Sequence, residues 1–334
     1  MDATEDAASR RPARPSGPCL ISKRVLSVRP APAGVLFRPA TLDDADMTAA
    51  LIGARDAFDF GESSPLTGEE LSSWWRPDAD RLATDAWIAV RDGKVVGFAR
   101  MARCGDVASV EDDACVHPAA RGQGIGTHLL ELGEDWARRH ALVPVQASVV
   151  NDDGRRLLEP RRYRLVRHFW RMEIELAEEP VPPEPPPGFA IRGYQREDDD
   201  RPLHGLHQDA FREHWDFTPE PFDDWLNSRH RREDYRPELW QVAVSGDKIA
   251  GAALCFGERG FGWVLDLFVG SGWRGRGLGL SLLVSGFREL WRQGHARVGL
   301  EVDSENATGA TRLYERAGMR VTRRYDTYEK RLVG

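Results

Sequence analysis

Two six-residue stretches, "RGQGIG" at 121–126 and "RGRGLG" at 274–279, share the pattern Arg-x-x-Gly-x-Gly. Each follows a short apolar run ending in valine and precedes an apolar-periodic stretch. A glycine-rich turn from strand to helix suits a phosphate, because bare backbone N–H groups approach closely and the helix N-terminus adds partial positive charge. Two commoner phosphate loops are excluded. A P-loop needs Gly-Lys-Ser/Thr, absent from both copies, and the dinucleotide fingerprint needs a third small residue where Thr127 and Leu280 stand. A tight turn without a ligand is the competing reading of either loop alone. Recurrence in matching contexts weighs against it.

The elements that must position these loops also recur. Each half opens with a strand-like start and an acidic helix start, "VLFRPATLDDADMTAAL" and then "FAIRGYQREDDDRPLHGL". Alternating segments around polar turns, "WIAVRDGKVVGFARMA" (87–102) and "QVAVSGDKIAGAALCF" (241–256), read as hairpins turning at Asp92-Gly93 and Gly246-Asp247. "DACV" and "DLFV" precede the loops. Two helices follow, with Leu129, Leu132, Gly133 and Trp136 on one face of the first and Leu283, Phe287, Leu290 and Trp291 on one face of the second. Each half then carries a strand, an Asn-led helix and a last strand ("VRHFWRMEIEL"; "VTRRYDTYEKRL"). Offsets are steady: 154 residues from Gly97 to Gly251, 153 from Arg121 to Arg274, 155 from Asn151 to Asn306. A mixed α/β unit has been duplicated. The Pro-rich stretch 177–188 is a stiff extended linker, dividing the chain into 35–176 and 189–334 after a disordered tail at 1–34.

The 334 residues, 41% apolar, suffice for two cores, and the net charge of −7 argues against nucleic-acid binding. The N-terminus has no apolar centre of a secretory signal, and no apolar run reaches the roughly 18–20 residues of a spanning helix. The four cysteines, 19, 104, 115 and 255, form neither a metal nor a disulfide pattern. A cytoplasmic protein with free thiols, no metal, no membrane partner, and a monomeric or homodimeric state is expected.

"VHPAARGQGIGTHLL" and "VGSGWRGRGLGLSLL" resemble the acetyl-CoA loop of the GNAT acetyltransferase superfamily, and "NATGATRLYERAGM" resembles that family's other hallmark. The resemblance covers both halves. It implies two tandem GNAT-like domains, each a mixed sheet whose fourth and fifth strands splay to admit a pantetheine arm, and an N-acetyltransferase using acetyl-CoA. It maps cofactor contacts onto Phe268, Val269, Arg274, Gly275, Arg276, Gly277, Leu278, Gly279 and Asn306. In the first half it maps them onto Val116, Arg121, Gly122, Gln123, Gly124, Ile125 and Gly126. Asn306 either contacts the pantetheine or caps its helix.

Acetyl transfer to an amine requires an uncharged amine, a donor for the oxygen that gains charge, and a proton or hydrogen bond for the departing thiolate. Tyr314 is the match for the last task, with plain helix packing as its alternative. Candidates for the base are Asp266, Glu301, Asp303 and His214, or a water relay. His214, Trp215, Phe217, Phe222 and Trp225 would line a pocket for a bulky or ring-bearing amine, or else belong to the core. The arginine-rich run 155–171 reads mainly as a solvated face.

Aligning "NDDGRRLLEPRRY" with the second copy leaves one gap, puts Leu158 where Tyr314 stands and Arg162 where Gly318 stands. The first half thus keeps the loop and lacks the acid. The expected activity is acetylation of a primary amine on a small molecule or peptide in the C-terminal half, such as antibiotic self-resistance or tailoring. The alternatives are acetylation of a cysteinyl amine and a non-enzymatic acyl-CoA binding module.

Overall fold

The computed structural model describes residues 30–332, apart from 64–65, 112, 216, 233–234, 259 and 307–308. Nearly all of the expected tail lies outside the described residues. The first half comprises β1 (Leu36–Pro39), α1 (Ala45–Phe60), α2 (Gly68–Trp75), α3 (Ala79–Asp85), β2 (Ala86–Arg91) and β3 (Lys94–Cys104). It continues through β4 (Val107–Val110), β5 (Cys115–Val116), α4 (Ile125–Arg139), β6 (Val145–Val149), α5 (Asp152–Leu158) and β7 (Arg164–Glu175). The second half runs β8 (Ala190–Gly193), α6 (Asp200–Phe211), α7 (Phe222–His230), β9 (Gln241–Ser245) and β10 (Lys248–Glu258). It closes with β11 (Phe261–Val269), α8 (Leu278–Arg292), β12 (Arg297–Asp303), α9 (Ala310–Arg316) and β13 (Arg320–Lys330).

The duplication reaches individual contacts. Arg38 on β1 donates to both oxygens of Asp44 at 2.8 and 2.7 Å, and Arg192 on β8 does the same to Asp199 at 2.6 and 2.8 Å. Each fork ties a first strand to the start of its helix. A Cβ added at Gly97 or at Gly251 would sit 3.1 Å from a methyl of Leu129 or Leu282, so α4 and α8 ride onto their sheets over equivalent glycines. Both hairpins form as expected, β2–β3 through Asp92 and Gly93 at φ 49° and 72°.

All strands join one mixed sheet, in the order β1-β2-β3-β4-β6-β13-β7-β12-β11-β10-β9-β8, with β5 paired to β3. The final strand of each half is present where the sequence predicts it, but each is inserted into the other half's portion. β13 pairs with β6 from Val149↔Asp326 to Val145↔Lys330, and β7 pairs with β12 from Asp303↔Phe169 to Arg297↔Glu175. The two exchanged strands run antiparallel to each other at the centre. Met172 of β7 is buried among second-half side chains, and Tyr328 and Leu332 among first-half ones. Ion pairs select this register: Arg297 holds the buried Glu173 at 2.6 Å, Arg167 holds Asp303 at 2.9 Å, and Arg155 holds Asp326 at 2.8 Å. The arginine run is mainly solvent-facing as expected, with Arg155, Arg156, Arg162 and Arg164 exposed, but two of its members, Arg155 and Arg167, also clasp the halves together.

The Pro-rich stretch joins β7 to β8 without helix or strand, with bends at 177–178 and a turn at 187–188. Its ends are five strand positions apart in the sheet, roughly 24 Å at about 4.8 Å per strand. Twelve residues of polyproline geometry reach roughly 37 Å, enough for the crossing with slack. Glu179 fastens it to Arg292 at the end of α8, at 2.6 Å.

Because each core holds a strand of the other half, the chain is expected to unfold in one thermal transition. Amides of β6 and β12 should then exchange hydrogen with opening free energies equal to within about 1 kcal/mol. Two resolved transitions would contradict this architecture.

Candidate active site

The second glycine loop leaves β11 at Val269 and enters α8 at Leu278. Gly275 and Gly277 sit at φ 75° and 92°, left-handed backbone that glycine adopts without strain. A Cβ added to either would meet nothing within 4 Å, so the cradle before the helix is open. Gly279 differs: an added Cβ would fall 2.8 Å from a Leu313 methyl, so its glycine serves the approach of α9 to α8. The Arg274 guanidinium donates to the Val269 carbonyl at 3.0 Å and to the Ala210 carbonyl at 3.1 Å, buckling the loop to β11 and α6. Arg276 points elsewhere, toward the Gly272 carbonyl at 3.4 Å and off the cavity wall.

A cavity of about 510 Å³ extends from this loop between β11 and β12. These parallel strands pair only from Phe261↔Arg297 to Trp263↔Gly299 and then separate, as the expected splay requires. Phe268, Val269, Asn306, Tyr314, Glu301, His214 and Trp215 all line the opening. Tyr314 on α9 is 8% exposed, and burial together with the charge of Asp266 pushes its phenol up to about 12. It stays protonated, a hydrogen-bond donor, across the whole neutral range. Burial holds the His214 imidazole below its ordinary value, with Arg274 and His207 adding to the effect and Asp303 opposing it. Asn306 reaches the wall but does not cap α9, whose cap is Gly309 at φ 75°.

Four candidates fall elsewhere: Phe217 and Phe222 are not on the cavity wall, Phe222 lying against His204 and Arg201, and Trp225 and Asp266 are displaced as well. Trp225 on α7 is fully buried in the second core, against Trp240 and His207, and does not reach the cavity. Asp266 alternates to the opposite face of β11 from Leu265 and Leu267, where Arg229 donates to it at 3.0 and 3.2 Å and His207 lies at 3.4 Å. Burial alone would raise this carboxyl, but His207 and Arg229 outweigh it and hold Asp266 below the usual carboxylate range. It is an anchor for α6 and α7 rather than a wall of the opening.

The first loop repeats the backbone with different chemistry. Gly122 and Gly124 take φ 74° and 85°, and an added Cβ at Gly126 would meet Leu157 at 3.4 Å, as Gly279 meets Leu313. Leu158 therefore stands at the place of Tyr314. The amide of Tyr163 closes on the Leu158 carbonyl as that of Met319 closes on Tyr314. Arg162 takes φ 67° where Gly318 takes 92°. The cavity here is about 640 Å³, lined by Val116, Arg121, Ile125 and Gly126 among others, while Gln123 turns back to the Ala119 carbonyl. Arg121 forks onto Asp59 at 2.8 and 2.7 Å, a carboxylate where the second half offers only the Ala210 carbonyl.

The sequence pattern of the Acetyltransferase (GNAT) family matches residues 54–159 and again 201–319. The chain belongs to this family. A Mycothiol acetyltransferase from Nocardiopsis dassonvillei is 30% identical over 320 residues, covering 84% of this chain and 92% of that protein. A GCN5-related N-acetyltransferase from Sphaerobacter thermophilus superposes with a TM-score of 0.80 at 34% identity, covering 90% of this chain and 96% of that one. The tandem GNAT protein from the clavulanic acid biosynthesis pathway shares the fold at a TM-score of 0.68 and 17% identity, over 89% and 98% of the two chains.

This tandem GNAT enzyme has cavity residues that the sequence does not announce. Phe169 of β7 lines the second cavity and Tyr325 of β13 lines the first, each reaching the other half's site through strand exchange. Leu265 also lines the second cavity and is 40% exposed there. No helix among the described residues is long and apolar enough to cross a membrane.

Asp266→Asn leaves the buried Arg229 with only the partly exposed Glu220 carboxylate at 3.3 Å and is expected to destabilise the fold by about 3 kcal/mol at pH 7. A depressed folded-state pKa gives stability that is complete above the unfolded carboxyl value, near 4, and vanishes as pH falls through the folded value. Wild type should therefore lose stability below about pH 4 and the variant should lose less. Urea midpoints at pH 7 and below pH 4 measure both; equal midpoints at pH 7 would refute the anchoring role.

Proposed function

We propose that the C-terminal half transfers an acetyl group from acetyl-CoA to a primary amine of a small molecule or peptide. One observation supports this most directly: an open glycine cradle, the Tyr314 phenol and a gap between parallel strands share one cavity, while the first half has leucine at the phenol's place. The bound thioester would supply an acyl carbon activated toward amines. The open loop at Gly275 and Gly277, with the first amides of α8, fits a diphosphate, and Arg274, Arg312 and Arg316 on the cavity wall add positive charge. A backbone N–H of β11 near Phe268 and Val269, both on the cavity wall, would donate to the oxygen that gains charge.

His214 receives the proton of the attacking amine. Its depressed pKa leaves the imidazole neutral at pH 7 and able to accept, and it lines the cavity beside the loop. Glu301 lies on the same wall, and a cationic amine loses one proton to solvent before its uncharged form attacks and the second to His214 during attack. Tyr314 donates to the departing sulfur. With its phenol at about 12 and an ordinary thiol at about 8.5, full proton transfer is uphill by some three powers of ten, so the phenol stabilises the thiolate by a hydrogen bond and keeps its proton. The second reading is a cysteinyl amine as acceptor, favoured by the name that relatives such as the Nocardiopsis dassonvillei protein carry.

Tyr314→Phe is expected to lower kcat on the order of 100-fold and leave acetyl-CoA affinity within about twofold. Unchanged kcat at saturating acetyl-CoA and amine would remove its role. His214→Gln should abolish the acid limb of the kcat/KM profile, which in wild type falls below the ordinary histidine value of about 6.5 because the folded pKa is lowered. Gly277→Trp should block acetyl-CoA uptake needed for turnover, whereas Gly124→Trp should spare it. CoA release with a panel of amines reads each case, and loss of activity at Gly124 alone would reverse the assignment of the halves.

A further inference from the structure

The acceptor side of the second cavity is not made by the second half alone. Phe169, on the exchanged strand β7, lies directly opposite Asp303 in the β12 pairing and lines the cavity. Its ring stands 6.0 Å from that of Trp215, and the Arg167 guanidinium also lies 6.0 Å from the Trp215 ring while gripping Asp303 at 2.9 Å. First-half residues thus fix the loop that covers the opening. At its far side the loop lies near the first half, where a Cβ added to Gly105 would meet the Thr218 hydroxyl at 3.7 Å.

The floor is apolar. Leu265 and Leu267 alternate toward the cavity, and Leu265 is 40% exposed at the point where β11 and β12 have parted. Across the gap stands Glu301, on the same face as Asp303 and Phe169. Phe169 in turn pairs with Tyr325, which lines the other cavity, so this aromatic pair forms the partition between the two sites. Glu301 stands directly opposite Arg171 in the β12–β7 pairing, so what the leucines and the two aromatic rings match is the apolar body of the amine. A polyhydroxylated amine would leave its hydroxyls against Leu265, Phe169 and Trp215 without partners.

Resting on the acetyl-transfer reading above, we infer that the acceptor is a primary amine borne on an aromatic or branched apolar body, and that Phe169 of the N-terminal half is a specificity-determining wall of the C-terminal site. The first half then has a place in the reaction that does not depend on its own glycine loop.

The test uses the full chain, acetyl-CoA as donor, and phenethylamine against glucosamine as acceptors of similar size. Wild type is expected to favour phenethylamine at least tenfold in kcat/KM. Phe169→Ala should raise the phenethylamine KM roughly tenfold while the KM values for acetyl-CoA and glucosamine move less than about twofold. Phe169→Tyr, which keeps the ring, should retain the wild-type preference and shows that the site tolerates substitution. Preference for glucosamine, or an equal loss with both amines in a Phe169→Ala protein of unchanged melting temperature, would overturn the acceptor class and leave acetyl transfer standing. No CoA release with either amine, in protein that binds acetyl-CoA, would overturn the acetyl-transfer reading and this inference with it.

Discussion

The antiparallel pairing of β7 with β13 is the constraint on which the rest of the molecule hangs. Without it, β7 and β13 would each present an unpaired edge and the sheet would part between the two halves, although each exchanged strand carries a side chain of the other half's core, Met172 and Tyr328. The pairing carries its own specificity. A buried Glu173 held by Arg297 makes a one-residue slip expensive, since slippage would break that ion pair and leave the carboxylate with only Arg171 of its own strand. The same register sets Phe169 beside Tyr325 and so brings the two cavities to a common wall.

Within that shared frame the two glycine loops keep one backbone while their chemistry has diverged. The left-handed glycines, the guanidinium that buckles each loop to its strand, and the glycine that admits the main helix are all duplicated. What differs is charge and proton supply. The first loop carries Asp59 against its arginine, and Leu158 cannot donate where Tyr314 can. Cys115 stands at the position of Phe268, its thiol pushed up to about 12 by burial and hence unreactive.

Much of this was legible in the sequence because it is local. Strand alternation, turn residues, loop glycines and the leucine-for-tyrosine replacement are each fixed by neighbours in the chain, and the one-gap alignment of the Asn-led helices is matched by contacts to Gly126 and Gly279. The strand exchange was not legible. "VRHFWRMEIEL" alternates correctly for a strand whichever partner it meets, and the partner is chosen by residues more than a hundred positions away, such as Asp303 and Arg297. The same distance hides the role of Asp266, whose Arg229 comes from a helix of another segment, and the burial of Trp225, which a helical pattern alone assigns to core or pocket equally well. Of the two readings of Asn306 only the helix cap falls away: its counterpart Asn151 caps its helix by accepting from the Gly154 amide, whereas the second helix begins later, at Gly309, and Asn306 stays on the cavity wall.

The slack tether at 177–188 has an implication for ancestry. Were it cut, every strand would keep its partner, so the fused chain has the form of a two-fold symmetric pair whose subunits traded their last strands before a polyproline bridge made them one. Fusion releases the two copies from identity. One copy can shed its chemistry and still be retained, because its sibling cannot close its own sheet without it.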